Sequence, residues 1–409
     1  MTINCRNCNS ELIEVVDFGK MPISNAFIDK SSFKDEYFYH MRAMICDSCY
    51  LFQLYEQPDA NVLFHENYAF FAGTSSSMQN HFSDLANELI SKFKLNKEDL
   101  VVEMGCNDGG VISYLKEKNH LNHLGVEPSK NVYEKSKKRG INMINKFFDL
   151  NTSKEIVKEK NKAKIFVSLN TLAHISNINS VFEGVVSLLQ DDGFYITEDP
   201  YLFDVFNKVS YDQIYDEHVF IFSVTSMNNL CQKFGLNLYD LKYLDTHGGS
   251  MRYYISKNQN IPKTKNFNYY FEKENLSHSY GMLSYDEFNK NCSISKNNLH
   301  NLIDRESSKK IIASYGATSK STTIFNYCNI NNDQIKFITD TTPTKINKYS
   351  PGTHIPVYDY DYFLKNMPDI CFLGAWNHSK EIFAKEKNNF SLHGKWITHT
   401  PNAMFLNDI

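Results

Sequence analysis

The sequence predicts a multidomain α/β protein, with a small N-terminal module followed by two Rossmann-like domains. Three observations lead to this fold class. The chain has 409 residues, more than one hydrophobic core usually supports. Two Cys-x-x-Cys pairs lie near its start, and farther on short apolar runs alternate with helix-like segments in two separate regions. We expect an N-terminal module of residues 1–66, a central domain of 67–256 and a C-terminal domain of 257–409.

The balance of charge argues against a polyanionic partner. Lys and Arg number 43, Asp and Glu number 47, and the sequence pI is near 6.4. A basic surface for a nucleic acid polymer or an anionic membrane is therefore not expected. The stretch MTINCRNCNSEL lacks a basic and apolar targeting pattern, and no run of 18 apolar residues occurs. We expect a cytoplasmic protein whose partner is a small molecule or another protein.

The two cysteine pairs predict a structural zinc site. Cys5 and Cys8 form the first pair, and Cys46 and Cys49 form the second. Two such turns supply the four thiolates that tetrahedral zinc prefers, and a closed set of four leaves no position for water. The alternatives are reduced thiols at coincidental spacing or a redox pair, although neither pair has a thioredoxin-like context. The other cysteines are expected to be small buried residues: Cys106, Cys231, Cys292, Cys328 and Cys371.

The central domain begins where apolar runs start to alternate with helix-like segments. The runs LVVEMG, LNHLGVE, INMIN, KIFVSLN and GFYITE predict the strands of a parallel sheet. Segments such as GVISYLKEKN and NSVFEGVVSLLQDD have the apolar spacing of helices. Farther on, LNLYDLKYLD and GGSMRYYISK predict an antiparallel hairpin added to this sheet.

The ends of the first two strands predict a nucleoside site. The first strand runs into Glu103, Gly105, Asn107 and Gly109, and the second ends at Glu127, where an acid can bind a ribose diol. A dinucleotide turn would need glycine in place of Asn107, because pyrophosphate must approach the backbone there. A cationic sulfonium is compatible with these acids, so the five residues favour S-adenosylmethionine over NAD. The alternative is a glycine turn that binds nothing.

A dense group of proton-handling residues, YDQIYDEH, follows the fifth strand of this domain. If the segment is helical, Tyr211, Tyr215 and His218 share one face, with Glu217 beside it. An imidazole titrates near neutral pH, a tyrosine can donate to an oxyanion, and a carboxylate can orient the imidazole. The alternative is an aromatic face packed into a core around a satisfied histidine.

Several motifs together resemble one enzyme family. They are CRNC, CDSC, NYAFFAGTSSSMQNHF, EMGCNDGG, NTLAHI, YDQIYDEHVFIFSVTS, HGGSMRYY and YGATSKS. In these motifs, which span nearly its full length, the chain resembles the zinc-containing sugar C-methyltransferases that act on nucleotide-linked keto-deoxysugars. The resemblance implies a class I methyltransferase domain in the centre and S-adenosylmethionine as the donor. It also implies methylation at C3 of a 4-keto-deoxysugar nucleotide.

The same resemblance implies roles for individual residues. It makes His218 the catalytic base and Glu217 the acid that flanks it. The other active-site positions that it implies are Tyr215, His174, Asn170 and the N-terminal aromatic residue Tyr68. Asp216 is a departure, because relatives often carry histidine there. We expect His218 to remove a proton beside the sugar ketone, while Tyr215, Tyr68 or His174 donates to the enolate oxygen.

A second α/β pattern occupies the C-terminal third. KKIIASYGATSKSTT predicts a strand, a glycine turn and a helix, and IKFITDTTPTK predicts the next strand. Gly316, Ser319 and Lys320 near this helix start are candidates to hold a phosphate of the substrate, because exposed amides and a lysine favour anions. The alternative is a turn that serves only as a wall of the substrate crevice.

Other functions remain open on the residues alone. A positioned histidine would also serve O- or N-methylation of a sugar nucleotide. An NAD-dependent sugar oxidoreductase would need the C-terminal turn for its dinucleotide, but YGATSK has one glycine where the fingerprint has three. A zinc-scaffolded binding protein without activity is a further alternative, against which the adjacent acid and histidine argue.

Overall fold

The computed structural model describes residues 4–59, 63, 76–118, 122–279 and 285–406. Within these ranges the chain forms three β-sheets with helices packed on them. The sheets follow one another in the predicted order, and the α/β fold class with its two Rossmann-like domains is confirmed. None of the described helices combines the length and the apolar character needed to cross a membrane.

The N-terminal sheet has four antiparallel strands and fills the long interval between the two cysteine pairs. β1 (Leu12–Pro22) pairs with β2 (Phe38–Cys46), and β2 pairs with β3 (Phe52–Leu54). The fourth strand, β9 (Phe220–Ile221), comes from far along the chain and pairs with β3. The sheet therefore extends beyond the expected boundary at residue 66 and includes the residues that follow His218.

The central sheet has seven strands. They are β4 Val101–Met104, β5 His123–Val126, β6 Met143–Ile144, β7 Ala163–Leu169, β8 Leu189–Pro200, β10 Asn237–Leu244 and β11 Ser250–Ser256. Their order is β10-β11-β8-β7-β4-β5-β6, and β4 to β8 are parallel. All residues of β4 and β5 are buried, as expected of strands covered on both faces. The five predicted strands and the antiparallel hairpin β10-β11 are thus confirmed.

Between residues 76 and 256 the described chain has seven helices that accompany this sheet. They are α1 Ser76–Phe93, α2 Gly110–Glu117, α3 Lys130–Lys138, α4 Leu150–Lys160, α5 Ile178–Leu188, α6 Leu202–Asn207 and α7 Val224–Lys233. Three of them begin where a polar side chain accepts a hydrogen bond from the first turn: Asp149 for α4, Asn177 for α5 and Ser223 for α7. These caps satisfy amides that a helix start leaves without partners.

The C-terminal third consists of two long helices and a second Rossmann-like unit. The elements are α8 Lys265–Ser279, α9 Tyr285–Ser307, β12 Ile312–Tyr315, α10 Ser319–Tyr327, β13 Ile335–Thr339, β14 Val357–Tyr358, α11 Tyr360–Lys365, β15 Ile370–Leu373, α12 Ser379–Glu386, β16 Lys395–Thr398 and β17 Met404–Leu406. The sheet order is β14-β13-β12-β15-β16-β17, and only β17 pairs antiparallel among these described strands.

Helix α8 packs on the central domain although it follows the expected boundary at residue 256. Its fully buried Glu274 accepts hydrogen bonds from the amides of Val224 and Thr225, both at 2.7 Å, at the start of α7. The hydroxyl of Tyr201 donates to the same carboxylate at 2.8 Å. An acid at this position is favourable because the helix N-terminus carries partial positive charge.

One hydrophobic core joins the segment YDQIYDEH to both outer parts of the chain. Tyr211 and Ile214 pack in a cluster with Val16 and Met41 of the N-terminal sheet and with Ile324 of α10. Each of these side chains is at most 2% exposed. The segment that carries the predicted base is therefore buried between the N-terminal module and the C-terminal domain.

Candidate active site

The N-terminal cysteines come together as the sequence predicts. The sulfur atoms of Cys5, Cys8, Cys46 and Cys49 all lie within 4.8 Å of one another. The Cys5–Cys49 and Cys8–Cys46 sulfur pairs are 3.6 and 3.4 Å apart. A tetrahedron with zinc–sulfur bonds of about 2.3 Å has edges of about 3.8 Å. The four thiols therefore fit one zinc ion with a complete set of protein ligands.

The zinc site is attached to two helices of the central domain. Asn179 of α5 donates to the carbonyl oxygens of Arg6, at 2.9 Å, and of Asn7, at 3.2 Å. Lys233 of α7 donates to the side-chain oxygen of Asn179 at 2.9 Å. Side chains far along the chain thus hold the backbone of the first cysteine turn. The folding of the first cysteine turn and its docking on α5 and α7 therefore depend on each other.

A cavity opens at the carboxyl ends of β4, β5 and β7, where open α/β sheets bind their ligands. Glu103, Gly105, Asn107 and Glu127, four of the five residues predicted to bind the donor, line this cavity. Sequence reasoning missed its apolar wall, which includes Met78, Phe82, Phe147 and Phe148. The two adjacent phenylalanines directly follow the strand region of INMIN, and that position could have suggested them. Acids opposite an apolar wall fit a nucleoside that carries a cationic sulfur.

Gly109 was predicted to bind the methyl donor, but it does not line the cavity. A Cβ at Gly109 would lie 2.7 Å from Cδ1 of Ile141 and 3.2 Å from Cβ of Ser113, so its lack of a side chain permits packing. The next residue, Gly110, lines the cavity. The second glycine that lines the cavity is thus one position later than expected.

Close backbone approach explains two glycines of this turn. Gly105 has a φ of 62°, and a Cβ there would collide with the side chain of Thr171. A Cβ on Gly110 would collide with the carboxylate of Glu103. Any larger residue at either position would have to displace a residue of the cavity wall.

Glu103 combines deep burial with a helix start. Its carboxylate accepts hydrogen bonds from the amides of Val111, at 3.1 Å, and Ile112, at 2.9 Å, in the first turn of α2. Burial raises the pKa of Glu103 to about 8, although the two amides oppose this rise. A cation in the cavity would favour the ionised carboxylate.

Glu127 is arranged to bind hydroxyl groups. One carboxylate oxygen accepts from the amide of Asn107 at 3.1 Å, and the other accepts from the amide of Ser129 at 2.9 Å. Burial raises the pKa of Glu127. Because a carboxylate has about four acceptor sites, capacity remains for a ribose diol in the cavity that Glu127 lines.

The segment YDQIYDEH is not a helix. Only Tyr211–Gln213 forms a short 3-10 turn, and the segment is buried on all sides instead of presenting one face. The hydroxyl of Tyr211 lies 3.3 Å from the sulfur of Cys328 in the C-terminal domain, so Tyr211 does not share a face with His218. Tyr215 and His218 are brought together by a turn in which the His218 amide donates to the Tyr215 carbonyl at 2.8 Å.

Asp212 fixes the same segment to the C-terminal domain. Its fully buried carboxylate contacts Nε2 of His399 at 2.9 Å and accepts from the indole nitrogen of Trp376 at 2.6 Å. Burial alone would raise the pKa of Asp212, but His399 and Trp376 hold it below its ordinary value. These contacts restrain the residues that precede the predicted base.

The hydrogen bonds of His218 define its tautomer. Nδ1 lies 2.7 Å from the carbonyl oxygen of Gln213, which can only accept, so Nδ1 carries the proton. In the neutral ring Nε2 is then an acceptor, and the Tyr215 hydroxyl donates to it at 2.9 Å. Burial, with smaller contributions from the charges of His174 and Lys320, lowers the pKa of His218 well below its ordinary value. The site therefore holds a neutral imidazole with a base nitrogen.

Asn170 and His174 connect the cavity to the surroundings of His218. Both line the cavity, and the rings of His174 and His218 are 5.2 Å apart between centroids. Burial lowers the pKa of His174 to about 4. The side-chain oxygen of Asn170 is buried without a hydrogen-bond partner among the described residues. A ligand group could satisfy that oxygen.

Glu217 is buried beside His218, but the orienting hydrogen bond on Nδ1 comes from the backbone of Gln213. The charge of Glu217 acts on two lysines of the C-terminal domain, Lys320 and Lys345. Burial lowers the pKa of each lysine, and the charge of Glu217 opposes this shift. Lys345 was missed by sequence reasoning because it stands in a loop without a recognisable pattern.

The C-terminal glycine turn uses its amides within the protein. The Gly316 amide donates to Thr339 at 2.8 Å, and the Ala317 amide donates to the Asp340 carboxylate at 2.7 Å. Thr318 and Ser321 form a capping box at the start of α10, whose first residue is Ser319. The carboxylate of Asp340 would also repel a phosphate. Lys320, one of the three residues predicted to hold phosphate, is near Asp212 and Glu217, whose charges act on it.

A charge network behind the cavity was not predicted. Nε2 of His81 contacts the buried carboxylate of Glu198 at 2.6 Å, and Arg252 binds the other oxygen of Glu198. Arg252 also contacts Glu88 at 2.7 Å, which connects α1 to β8 and β11. None of these residues has an identifying sequence spacing.

Tyr68, predicted to reach into the site, lies outside the described residues.

Three family models match successive parts of the chain. A putative zinc binding domain matches residues 5–64, a methyltransferase domain matches 76–241, and a C-methyltransferase C-terminal domain matches 245–401. A curated relative, the C-methyltransferase NovU of Streptomyces niveus, is 28% identical over 401 residues, which cover 97% of this chain and 95% of the relative.

Solved structures also match part of the chain. An S-adenosylmethionine-dependent methyltransferase from Anabaena variabilis is 13% identical, with a TM-score of 0.35, covering 50% of this chain and 98% of that one. Another from Clostridium acetobutylicum is 13% identical, with a TM-score of 0.34, covering 43% and 91%.

The family matches follow the order of the three sheets and agree with the two sites. The zinc-binding match contains all four cysteines, and the methyltransferase match contains the donor cavity apart from His247. The prediction of S-adenosylmethionine instead of NAD is confirmed, as is an enzyme instead of a binding protein. The chain belongs to the C-methyltransferases that contain a zinc-binding domain: it is an S-adenosylmethionine-dependent C-methyltransferase with one structural zinc ion.

Proposed function

We propose that the acceptor is a nucleotide-linked 4-keto-deoxysugar and that the methyl group is transferred to C3, beside the ketone. The observation that carries this proposal is the pair of His218 and Tyr215, a base nitrogen and a phenol 2.9 Å apart. A carbon acid needs a base for its proton and a donor for the oxygen that receives the charge. An oxygen or nitrogen acceptor needs only the base, so the pair favours carbon beside a carbonyl.

In this proposal Nε2 of His218 accepts the proton from C3. The C–H bond breaks, and its electron pair moves toward the ketone oxygen, which gives an enolate. Nε2 is free of a proton in the tautomer that Gln213 enforces, and burial keeps the ring neutral before reaction. Tyr215 donates to this nitrogen in the absence of substrate and can turn its hydroxyl to the ketone oxygen when the substrate is bound. Tyr68 and His174 are the alternative donors.

Residues of the cavity hold the methyl donor for this step. When bound, S-adenosylmethionine supplies a methyl group on a positively charged sulfur, which leaves as a neutral thioether when the enolate carbon attacks. Glu103 favours the positive charge and Glu127 the ribose hydroxyls. Asn170 and His174, which line the cavity beside His218, keep acceptor and donor adjacent and limit the entry of water.

The nucleotide diphosphate is proposed to lie against the C-terminal domain. Lys320 and Lys345 supply positive charge there, in place of the amides of the glycine turn. Lys345 Nζ donates to the Ala317 carbonyl at 2.8 Å, which holds the lysine beside that turn. Glu217 balances these two charges next to His218, so the proposal gives it an electrostatic role.

The test follows hydrogen exchange and methylation separately. Purified enzyme in deuterated buffer receives a panel of nucleotide-linked 4-keto-6-deoxysugars, with and without S-adenosylmethionine, and mass spectrometry follows the products. The wild type should exchange one carbon-bound hydrogen without donor and add one methyl group with it. His218→Asn should abolish both, and Tyr215→Phe should slow both by about 100-fold. His40→Asn, at an exposed position of β2, is the control and should change neither.

Absence of exchange and of methylation with every ketosugar, despite measured donor binding, would contradict the proposal. Heteroatom acceptors would then become the better explanation. Exchange that survives in His218→Asn would leave the acceptor class intact and remove His218 as the base.

A further inference from the structure

His247 lines the cavity but has no role in the mechanism proposed above. It lies in the short turn between β10 and β11 and lines the donor cavity together with Asn170 and His174. Its Nε2 atom is buried and has no hydrogen-bond partner among the described residues. A polar atom in that position is costly unless a ligand satisfies it.

The backbone of His247 is held in an unfavourable conformation. Its φ is 55° and its ψ 21°, in the left-handed region that residues other than glycine and asparagine rarely adopt. Surrounding contacts enforce this shape. Lys208 donates to the carbonyl of Gly248, and the ring of Trp376 packs where Gly248 lacks a Cβ. Strain that neighbouring residues maintain is common at functional sites.

One residue sets the relative positions of His247 and the predicted base. The side-chain amide of Gln213 donates to the backbone carbonyl of His247. The backbone carbonyl of the same Gln213 accepts from Nδ1 of His218 at 2.7 Å. Gln213 is only 2% exposed, so it links the two histidines through two different groups of a fixed residue.

The surroundings keep the imidazole of His247 neutral. Burial, and then the charge of Lys320, lower the pKa of His247 to about 3. A neutral imidazole can donate a hydrogen bond to an oxygen that gains negative charge without transferring its proton. An imidazolium in this site would instead be a strong acid and would compete for the electron pair of the enolate.

We propose that His247 contacts the acceptor and that its Nε2–H donates a hydrogen bond to the ketone oxygen as this oxygen becomes an enolate. Gln213 is the positioning residue that fixes this donor relative to the base. The inference rests on the proposed function, because it requires a ketone beside the reacting carbon. It adds a donor on the cavity side of the substrate to the phenol of Tyr215.

The test uses His247→Asn, because asparagine accepts a positive φ but its side chain ends before the position of Nε2. Donor-independent deuterium exchange should fall about 100- to 1000-fold, the usual loss for one oxyanion donor. The dissociation constant for S-adenosylmethionine should stay within about threefold. His354→Asn is the matched control, since His354 also has a positive φ of 54° but contacts Glu36, and exchange should be unchanged.

Two further variants separate chemistry from folding. His247→Gly keeps the backbone conformation, and added imidazole should restore part of its exchange, which a purely structural role would not allow. Gln213→Met retains the carbonyl bound to His218 but loses the amide donor to His247. It should lower kcat about 10- to 100-fold while leaving KM for the acceptor within about threefold.

The outcomes distinguish this inference from the proposed function. Full exchange in His247→Asn, or normal exchange with weakened donor binding, overturns the inference and makes His247 a wall of the donor site. Failure of imidazole to restore exchange in folded His247→Gly also overturns it. Absence of exchange in the wild type defeats the proposed function, and the inference with it.

Discussion

Donor binding should release close to one proton near neutral pH, and Glu103 should be its source. Burial raises the pKa of Glu103 to about 8 in the free enzyme. At pH 7 about nine molecules in ten therefore carry a proton on this carboxyl group. A sulfonium in the cavity favours the ionised form, so binding should expel that proton.

The size of the effect follows from linkage. If the bound donor returns Glu103 to its ordinary pKa of about 4.5, the free enzyme holds an extra proton between about pH 4.5 and pH 8. Affinity is then lost as the pH falls through that value. The dissociation constant should become about 50-fold tighter from pH 6 to pH 8 and should level off above about pH 9.

Calorimetric titration in buffers of different ionisation enthalpy measures this proton directly. The wild type should release about 0.9 proton at pH 7, and Glu103→Gln should release almost none. Asp199→Asn is the matched control, because burial also raises the pKa of Asp199 to about 8, whereas Asp199 does not line the cavity. A dissociation constant that is independent of pH in the wild type would refute the reasoning, as would proton release that persists in Glu103→Gln.

Three further outcomes are expected. Removal of zinc by a chelator should lower the melting temperature and speed amide exchange in α5 and α7, measured by mass spectrometry, since the zinc turn docks on both helices. Gly105→Ala should destabilise the enzyme by about 2–5 kcal/mol in urea unfolding, from the left-handed backbone and the clash with Thr171, and Thr171→Ala should recover part of this loss. His399→Phe should cost about 3–5 kcal/mol in the same assay, because it removes the His399 partner of the buried Asp212 carboxylate, and Asp212→Asn in the same chain should reduce the loss.

Local patterns explain why much of the fold was predictable. A buried parallel strand must be apolar on both faces, so each of the five runs in the central domain identified a strand by composition alone. The two cysteine turns were equally readable, because a Cys-x-x-Cys turn fixes the geometry of its two sulfurs locally. Four of the five residues predicted to bind the donor line the same cavity, because each stands at the end of a parallel strand.

Features that depend on contacts between distant parts of the chain were not predictable. Helical periodicity placed Tyr211 and His218 on one face. It could not show that Tyr211 points elsewhere, because its direction is set by a contact with Cys328 in another domain. Whether Gly109 or Gly110 lines the cavity depends on the path of the turn around Glu103. The proximity of Lys320 to Asp212 was not predictable either, because it arises from the docking of α10 on the turn Tyr211–Gln213.

The pairing of β3 with β9 has a consequence for how the chain is made. Phe52 and Ile221 are neighbours in the N-terminal sheet, yet about 170 residues of synthesis separate them. During synthesis β3 therefore waits with an open edge until most of the central domain has emerged. Closing that edge also brings His218 into its final surroundings, because β9 begins two residues after it. The surroundings of the proposed base are thus completed late, when the N-terminal and central regions have both been made.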